Sequence, residues 1–197
     1  MLQVKELSFL DWGPLSFSVD CGECLGISGE SGSGKSLLLR AIADLDVHGG
    51  TVLLDGENCN DHPGATWRGR VAMLASESRW WFDSVRPHFP EGVDESVFGK
   101  LGFPGVEVMD WEVPRLSAGE KQRLALARLL ALSPRALLLD EPTANLDARS
   151  AGLVEEVVAI YREKRKVPVL WVGHNEEQLE RVANGLLRMQ DKQLAKA

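Results

Sequence analysis

Apolar and polar residues alternate twice at the start of the chain, in LQVKELSF and in LSFSVD, and this period of two predicts strands with one buried face. CLGISG runs apolar into glycines as a short buried strand, and Ser36–Leu45 takes up helical spacing. Two short strands around an Asp55-Gly56 turn are predicted in GGTVLLDGENC, and RVAMLA reads as another buried strand. The periodicity then fails. Residues 77–116 hold Trp80, Trp81 and Phe82, four prolines and several glycines among acids, which predicts an irregular insertion with short helices. The aromatic cluster is expected to be the core of that insertion, with an exposed docking patch as the alternative. Regular spacing returns with a helix from about Ala118 to Leu132 and the strand ALLLD. The next helix presents Leu153, Val157 and Ile160 on one face, with Val154, Val158 and Tyr161 beside them. VPVLWVG is a strand, Asn175 is placed to cap the helix EEQLERVAN, Gly185 ends it, and LLRMQ is expected as a final edge strand. Strand and helix signals that alternate in this way argue for an α/β domain.

Composition narrows the class. The chain has 197 residues, 44% hydrophobic and 26% charged, which suits one globular domain with a proper core. Its 22 basic and 29 acidic residues leave a net charge of −7, so there is no electrostatic footprint for nucleic acid, and none is expected as a partner. The longest apolar runs, such as Leu124–Leu132 with Arg128 inside it, fall well short of a membrane span, and MLQVKEL lacks a signal-peptide pattern. A cytosolic protein is expected. Three cysteines do not make a disulfide scaffold there, but Cys21, Cys24, Cys59 and His62 are four zinc-type ligands if the two halves meet; turns between strands are the simpler account.

Two stretches carry chemistry. GESGSGKS, at Gly29, Glu30, Ser31, Gly32, Ser33, Gly34, Lys35 and Ser36, follows a predicted strand and opens a predicted helix, with Leu37 next. Glycines there let backbone N–H groups close around phosphate oxygens at a helix N-terminus. Lys35 would reach the β- and γ-phosphates and Ser36 would ligate Mg²⁺. In ALLLDEP, four apolar residues bury a strand that ends on Asp140, the candidate metal holder, and Glu141 is free to orient and deprotonate an attacking water.

Taken in order, GESGSGKS, RLSAGEKQR, LLLDEPTANLD and VGH resemble ABC-type ATPases, the nucleotide-binding subunits of ATP-binding-cassette systems, and the match covers nearly the whole chain. The resemblance implies a P-loop core of ABC type with an N-terminal antiparallel β subdomain and a short helical subdomain. It divides the single domain into a core of residues 1–76 and 130–197 and a reduced helical segment of 77–129. It implies ATP and Mg²⁺ as cofactors and a head-to-tail dimer in which Leu116, Ser117, Ala118, Gly119 and Glu120 of one chain close over the γ-phosphate held by the other. Asp147 then belongs to the loop that crosses the dimer interface, and His174 is the switch histidine that contacts the γ-phosphate. Phe9 and Trp12 are the rings available to stack on the base, since the one tyrosine is Tyr161.

The sequence departs from the family in three places. Ala118 replaces a usual glycine, which is expected to be tolerated. Ser76, followed by Glu77, stands where the family has a glutamine that reaches Mg²⁺. The 41 positions between Ser76 and Ser117 make a short helical segment, a smaller dock for a transmembrane partner. Within the family the chain is most similar to small bacterial transporter ATPases of the iron-export type. That implies a separate permease subunit as partner and a place on the inner face of the cell membrane. A soluble ATPase of an assembly system, such as iron–sulfur cluster biogenesis, is the rival expectation.

Overall fold

The computed structural model describes residues 1–196. Its regular elements are β1 (Leu2–Phe9), β2 (Trp12–Val19), β3 (Cys24–Ser28), α1 (Lys35–Ile42), β4 (Gly49–Leu54), β5 (Glu57–Asn58), α2 (Gly64–Arg70) and β6 (Val71–Leu74) in the first half. After the 77–116 segment, which holds only α3 (Ser96–Lys100) and several 3-10 turns, come α4 (Ala118–Ala131), β7 (Ala136–Asp140), α5 (Ala148–Arg165), β8 (Val169–Val172), α6 (Glu176–Val182), β9 (Gly185–Gln190) and β10 (Gln193–Lys196).

These strands form two sheets. An antiparallel one runs β2-β1-β4-β5; the other runs β10-β9-β3-β8-β7-β6, with every neighbour parallel except β10 on β9. In β1 the buried positions shift by one between Val4 and Leu7, where Glu6 takes a left-handed φ of 50° and the pairing slips. The central strands read as unbroken apolar runs because both their faces are covered. Leu137 and Leu139 belong to one core with α4, α5 and the 85–116 segment, while Ala136 and Leu138 belong to the other with α1 and the antiparallel sheet. At about 1.5–3 kcal/mol for each buried leucine, the strand that ends on Asp140 is held firmly between them. β8 divides the same way, with Val169 and Trp171 on the first core and Leu170 and Val172 on the second.

Several expectations need correction. α1 stops at Ile42, because Asp44 takes a left-handed φ of 55° and turns the chain away. α2 was not foreseen; its seven residues are organised by Trp67, fully buried, whose Nε1–H donates to the Ile42 carbonyl at 3.0 Å. LLRMQ is not the edge, since β9 lies between β3 and β10. Asn175 does cap α6 by accepting from the Gln178 N–H at 3.0 Å, but the helix ends at Val182. Asn184 stops it by bonding Cys24 from both its backbone N–H and its side chain, and Gly185 opens β9 instead. On α5 the buried face is Ser150, Val154, Val157 and Val158, and Ile160 turns outward.

The aromatic cluster divides between the two readings. Trp80 packs against the core, whereas Trp81 is 62% exposed and Phe82 is exposed too. Both are held by His88, a residue the sequence reading did not single out. Its Nε2 accepts the backbone N–H of Trp81 at 3.0 Å and of Phe82 at 3.1 Å, while Nδ1 faces the Ser84 and Val85 carbonyls at 3.0 and 3.2 Å. Those partners fix a neutral ring with its proton on Nδ1. Burial, opposed by the Val85 and Ser84 carbonyls and aided by the Arg128 charge, holds the imidazole below its ordinary 6.5. A depressed histidine favours the folded form fully above the unfolded value, and that contribution is lost as pH falls through it toward the folded one. Exchange of the Trp81 and Phe82 amides should therefore accelerate, relative to intrinsic rates, between about pH 7 and pH 5. Protection that stays constant across that range would show that His88 does not latch the segment.

Candidate nucleotide site

The site is assembled at the C-terminal ends of β3, β7 and β8, where parallel sheets open toward ligands. β3 ends at Ser28, and residues 29–34 turn the chain into α1. Gly34 has φ 81°, and a Cβ there would lie 2.9 Å from a Trp12 ring carbon; at Gly29 it would lie 2.6 Å from the Met189 carbonyl oxygen. Only glycine allows this backbone. Lys35 is 5% exposed, and its Nζ donates to the Gly29 and Glu30 carbonyls at 2.9 and 2.8 Å, so the side chain folds back over its own loop. Burial lowers its pKa, opposed by the charges of Glu141 and Asp140.

β7 delivers the carboxylates. Asp140, 3% exposed, has an Oδ1 with no hydrogen-bond partner. Burial raises its pKa, countered by a hydrogen bond from Ser36 and by the charges of Lys35 and His174, while Glu141 adds to the rise. Glu141 leaves the strand at a left-handed φ of 49°, anchored by its N–H on the Val172 carbonyl at 3.0 Å. That turn sends the Glu141 side chain to His174 past the end of β8, with Oε1 2.6 Å from Nε2. Lys35, Ser36, Asp140, Glu141 and His174 thus come together.

The donor set suits Mg²⁺. A buried, unpartnered carboxylate oxygen beside a serine hydroxyl offers hard oxygen ligands, the kind that bind this ion together with substrate phosphates. Among the described residues no group of three or more His, Cys, Asp or Glu side chains converges on a metal position. Cys21 lies near the N-terminal amine, Cys24 is buried in β3, the Cys59 sulfur faces His48 at 4.0 Å, and His62 turns to Glu57 at 3.1 Å. The four do not meet as a zinc set.

Phe9 is a correction as well. It is only 4% exposed and stacks behind Trp12, with ring centroids 6.3 Å apart, which leaves it no face for a base. Trp12, partly exposed against Gly34, is the ring beside the loop. Ser76 and Glu77 are exposed just beyond β6. Gln122, another residue not singled out from sequence, is buried and donates to the Ala75 carbonyl at 3.2 Å, tying α4 to that loop. Its signal was a polar residue on the apolar stripe of α4, three positions before Ala125.

Residues Leu116–Glu120 are not part of the Lys35 cluster. α4 packs on β6, which lies three strands from β3, about 14 Å at the usual strand spacing. Ser117 caps α4. Its Oγ accepts from the Glu120 N–H at 3.2 Å, and its own N–H and hydroxyl both donate to Glu120 Oε2 at 2.8 and 2.7 Å. Ala118 is exposed, so its methyl crowds nothing in its own chain. A Cβ at Gly119 would lie 3.0 Å from Leu146, which brings the loop before α5 alongside this turn. Asp147 caps α5 by accepting from the Ser150 N–H at 3.0 Å.

This arrangement also has a match among known proteins: the family profile described as "ABC transporter" matches residues 13–144. The chain belongs to the ABC transporter family. Among relatives of this ABC chain, the probable iron export ATP-binding protein FetA of Escherichia coli is 32% identical over 84% of this chain and 78% of its own length. The ATP-binding protein PhnT of Salmonella typhi is 32% identical over 90% of this chain and 52% of its own, so the chain spans about half the length of that relative. Of solved structures, an ATP binding subunit of an ABC transporter superposes over 100% of this chain and 89% of its own, with TM-score 0.89 at 20% identity, a likeness of fold. Among the described residues no helix is long and apolar enough to cross a membrane.

Proposed function

We propose that the protein is the ATP-hydrolysing subunit of an ABC transporter, which pairs head to tail with a second copy around two ATP and drives a separate membrane permease. The observation that carries this reading is the convergence of Lys35, Ser36, Asp140, Glu141 and His174 at the strand ends. ATP would enter with its phosphates on the backbone N–H groups of residues 29–36, and Lys35 would exchange its loop carbonyls for phosphate oxygens. Ser36 and Asp140 would hold Mg²⁺, which supplies positive charge to the phosphates when bound. Glu141, oriented by His174, takes the proton of the attacking water, and the partner chain's Ser117 donates toward the developing charge. Trp12 stacks on the base.

A groove of about 490 Å³ supports the permease partner. It runs between the core and the 77–129 segment, lined by Leu45, Arg68, Trp81, Arg128 and Leu132, with Leu45, Trp81 and Leu132 exposed. A helix from a membrane subunit is its proposed occupant. Export of a metal such as iron is the cargo favoured by the likeness to FetA.

The test is capture of tagged protein from gently solubilised native membranes. A polytopic companion in stoichiometric amount is expected. Recovery only with a soluble companion would replace this reading by the assembly-ATPase one.

A further inference from the structure

Away from the nucleotide site, a cleft of about 300 Å³ opens between α5 and α6 above β3 and β8. Its apolar lining comes from Cys24, Val158, Ala159, Trp171 and Val182, and Arg162 stands in its wall. Two buried N–H donors of these residues lack any partner: Nε1 of Trp171, a side chain only 1% exposed, and Nε of Arg162. An N–H donor buried without an acceptor is destabilising, so two in one cleft call for a common acceptor.

The charges around the cleft are unequal. Arg181 is already neutralised, bonding both oxygens of Glu155 at 2.8 and 2.9 Å. Arg162 has no carboxylate within 4.0 Å among the described residues. Its guanidinium is held by two long bonds to neutral acceptors, the Val182 carbonyl at 3.3 Å and Asn184 Oδ1 at 3.2 Å, and by the sulfur of Cys24. Burial pushes that thiol up to about 12, so it stays neutral and offers Arg162 no counter-charge. Weakly tethered, Arg162 can turn within the cleft whose wall it shares with Trp171.

We propose that this cleft binds a small carboxylate with a short apolar tail, the carboxylate accepting from the Trp171 indole N–H and the Arg162 guanidinium while the tail lies along Val158, Ala159 and Val182. One cation and one neutral N–H suit a single carboxylate, and the apolar lining excludes a bare polyvalent anion. The site is independent of the transport reading, which fails or stands on its own.

The experiment follows the Trp171 indole ¹H–¹⁵N signal, assigned with Trp171→Phe, while straight-chain carboxylates from acetate to octanoate are added, with the matching alcohols as controls. A saturable shift with the longer carboxylates and none with the alcohols is expected. Arg162→Gln should remove it while the other indole signals stay in place, and Ala159→Leu, which fills the cleft but keeps Arg162, should remove it too. No carboxylate-dependent shift, an equal shift with hexanol, or unchanged binding in both variants would overturn the proposal.

Discussion

Glu141→Gln is expected to cut ATP turnover by about 10²–10⁴-fold, the usual worth of a general base, and to leave a stable ATP-loaded pair of chains. The variant keeps the fold. A glutamine tolerates the left-handed φ of 49° about as well as a glutamate, and its amide still reaches His174 across the 2.6 Å contact. What it cannot do is take a proton. The measurements are phosphate release and solution mass by light scattering, with ATP and Mg²⁺ present. A mass that stays that of one chain, even beside the permease, would remove the paired arrangement, and turnover close to the unaltered protein would remove Glu141 from proton transfer.

The second large effect is complementation between two dead variants. Lys35→Met removes the ammonium that folds over the phosphate loop, and Ser117→Arg blocks the turn at the head of α4. Each alone should lose nearly all turnover. Mixed in equal amounts, half the pairs carry one of each, and every such pair has one intact site, built from the good loop of one chain and the good turn of the other. Recovery to about a quarter of normal turnover is expected for a closed two-fold pair. No recovery would place Ser117 outside the composite site. Loss of the Ser117 cap costs about 1 kcal/mol, too little to unfold the domain, and a thermal melt of the single variant checks this.

Much of this architecture was readable because its signals are local and contiguous. The turn at 29–36, the apolar run into Asp140 and the cap at Ser117 each lie within eight residues, where spacing alone constrains the backbone. What escaped depends on distant partners. β9 is interior only because β10 pairs with it, and α6 ends early because Asn184 is recruited by Cys24 across the chain. On α5, six apolar residues cover two overlapping faces, and the small, buried Ser150 is what marks the true one. Phe9 and Trp12 are alike in sequence as aromatic rings near a first strand. Only the bulge at Glu6 and the approach of Gly34 to Trp12 decide which ring is buried and which lies beside the loop.

The bond between Ser117 and Glu120 has a consequence for the chain on its own. The head of a helix normally offers its free N–H groups to anions, and here a carboxylate of the same chain already occupies the N–H and hydroxyl of the capping residue Ser117. A free phosphate, sulfate or chloride that needs the Ser117 donors must compete with Glu120 for them. In the proposed pair, an anion presented together with a second protein surface would be the better competitor for them. On that reading pairing would depend on loaded nucleotide, through the one carboxylate that holds the Ser117 donors in reserve.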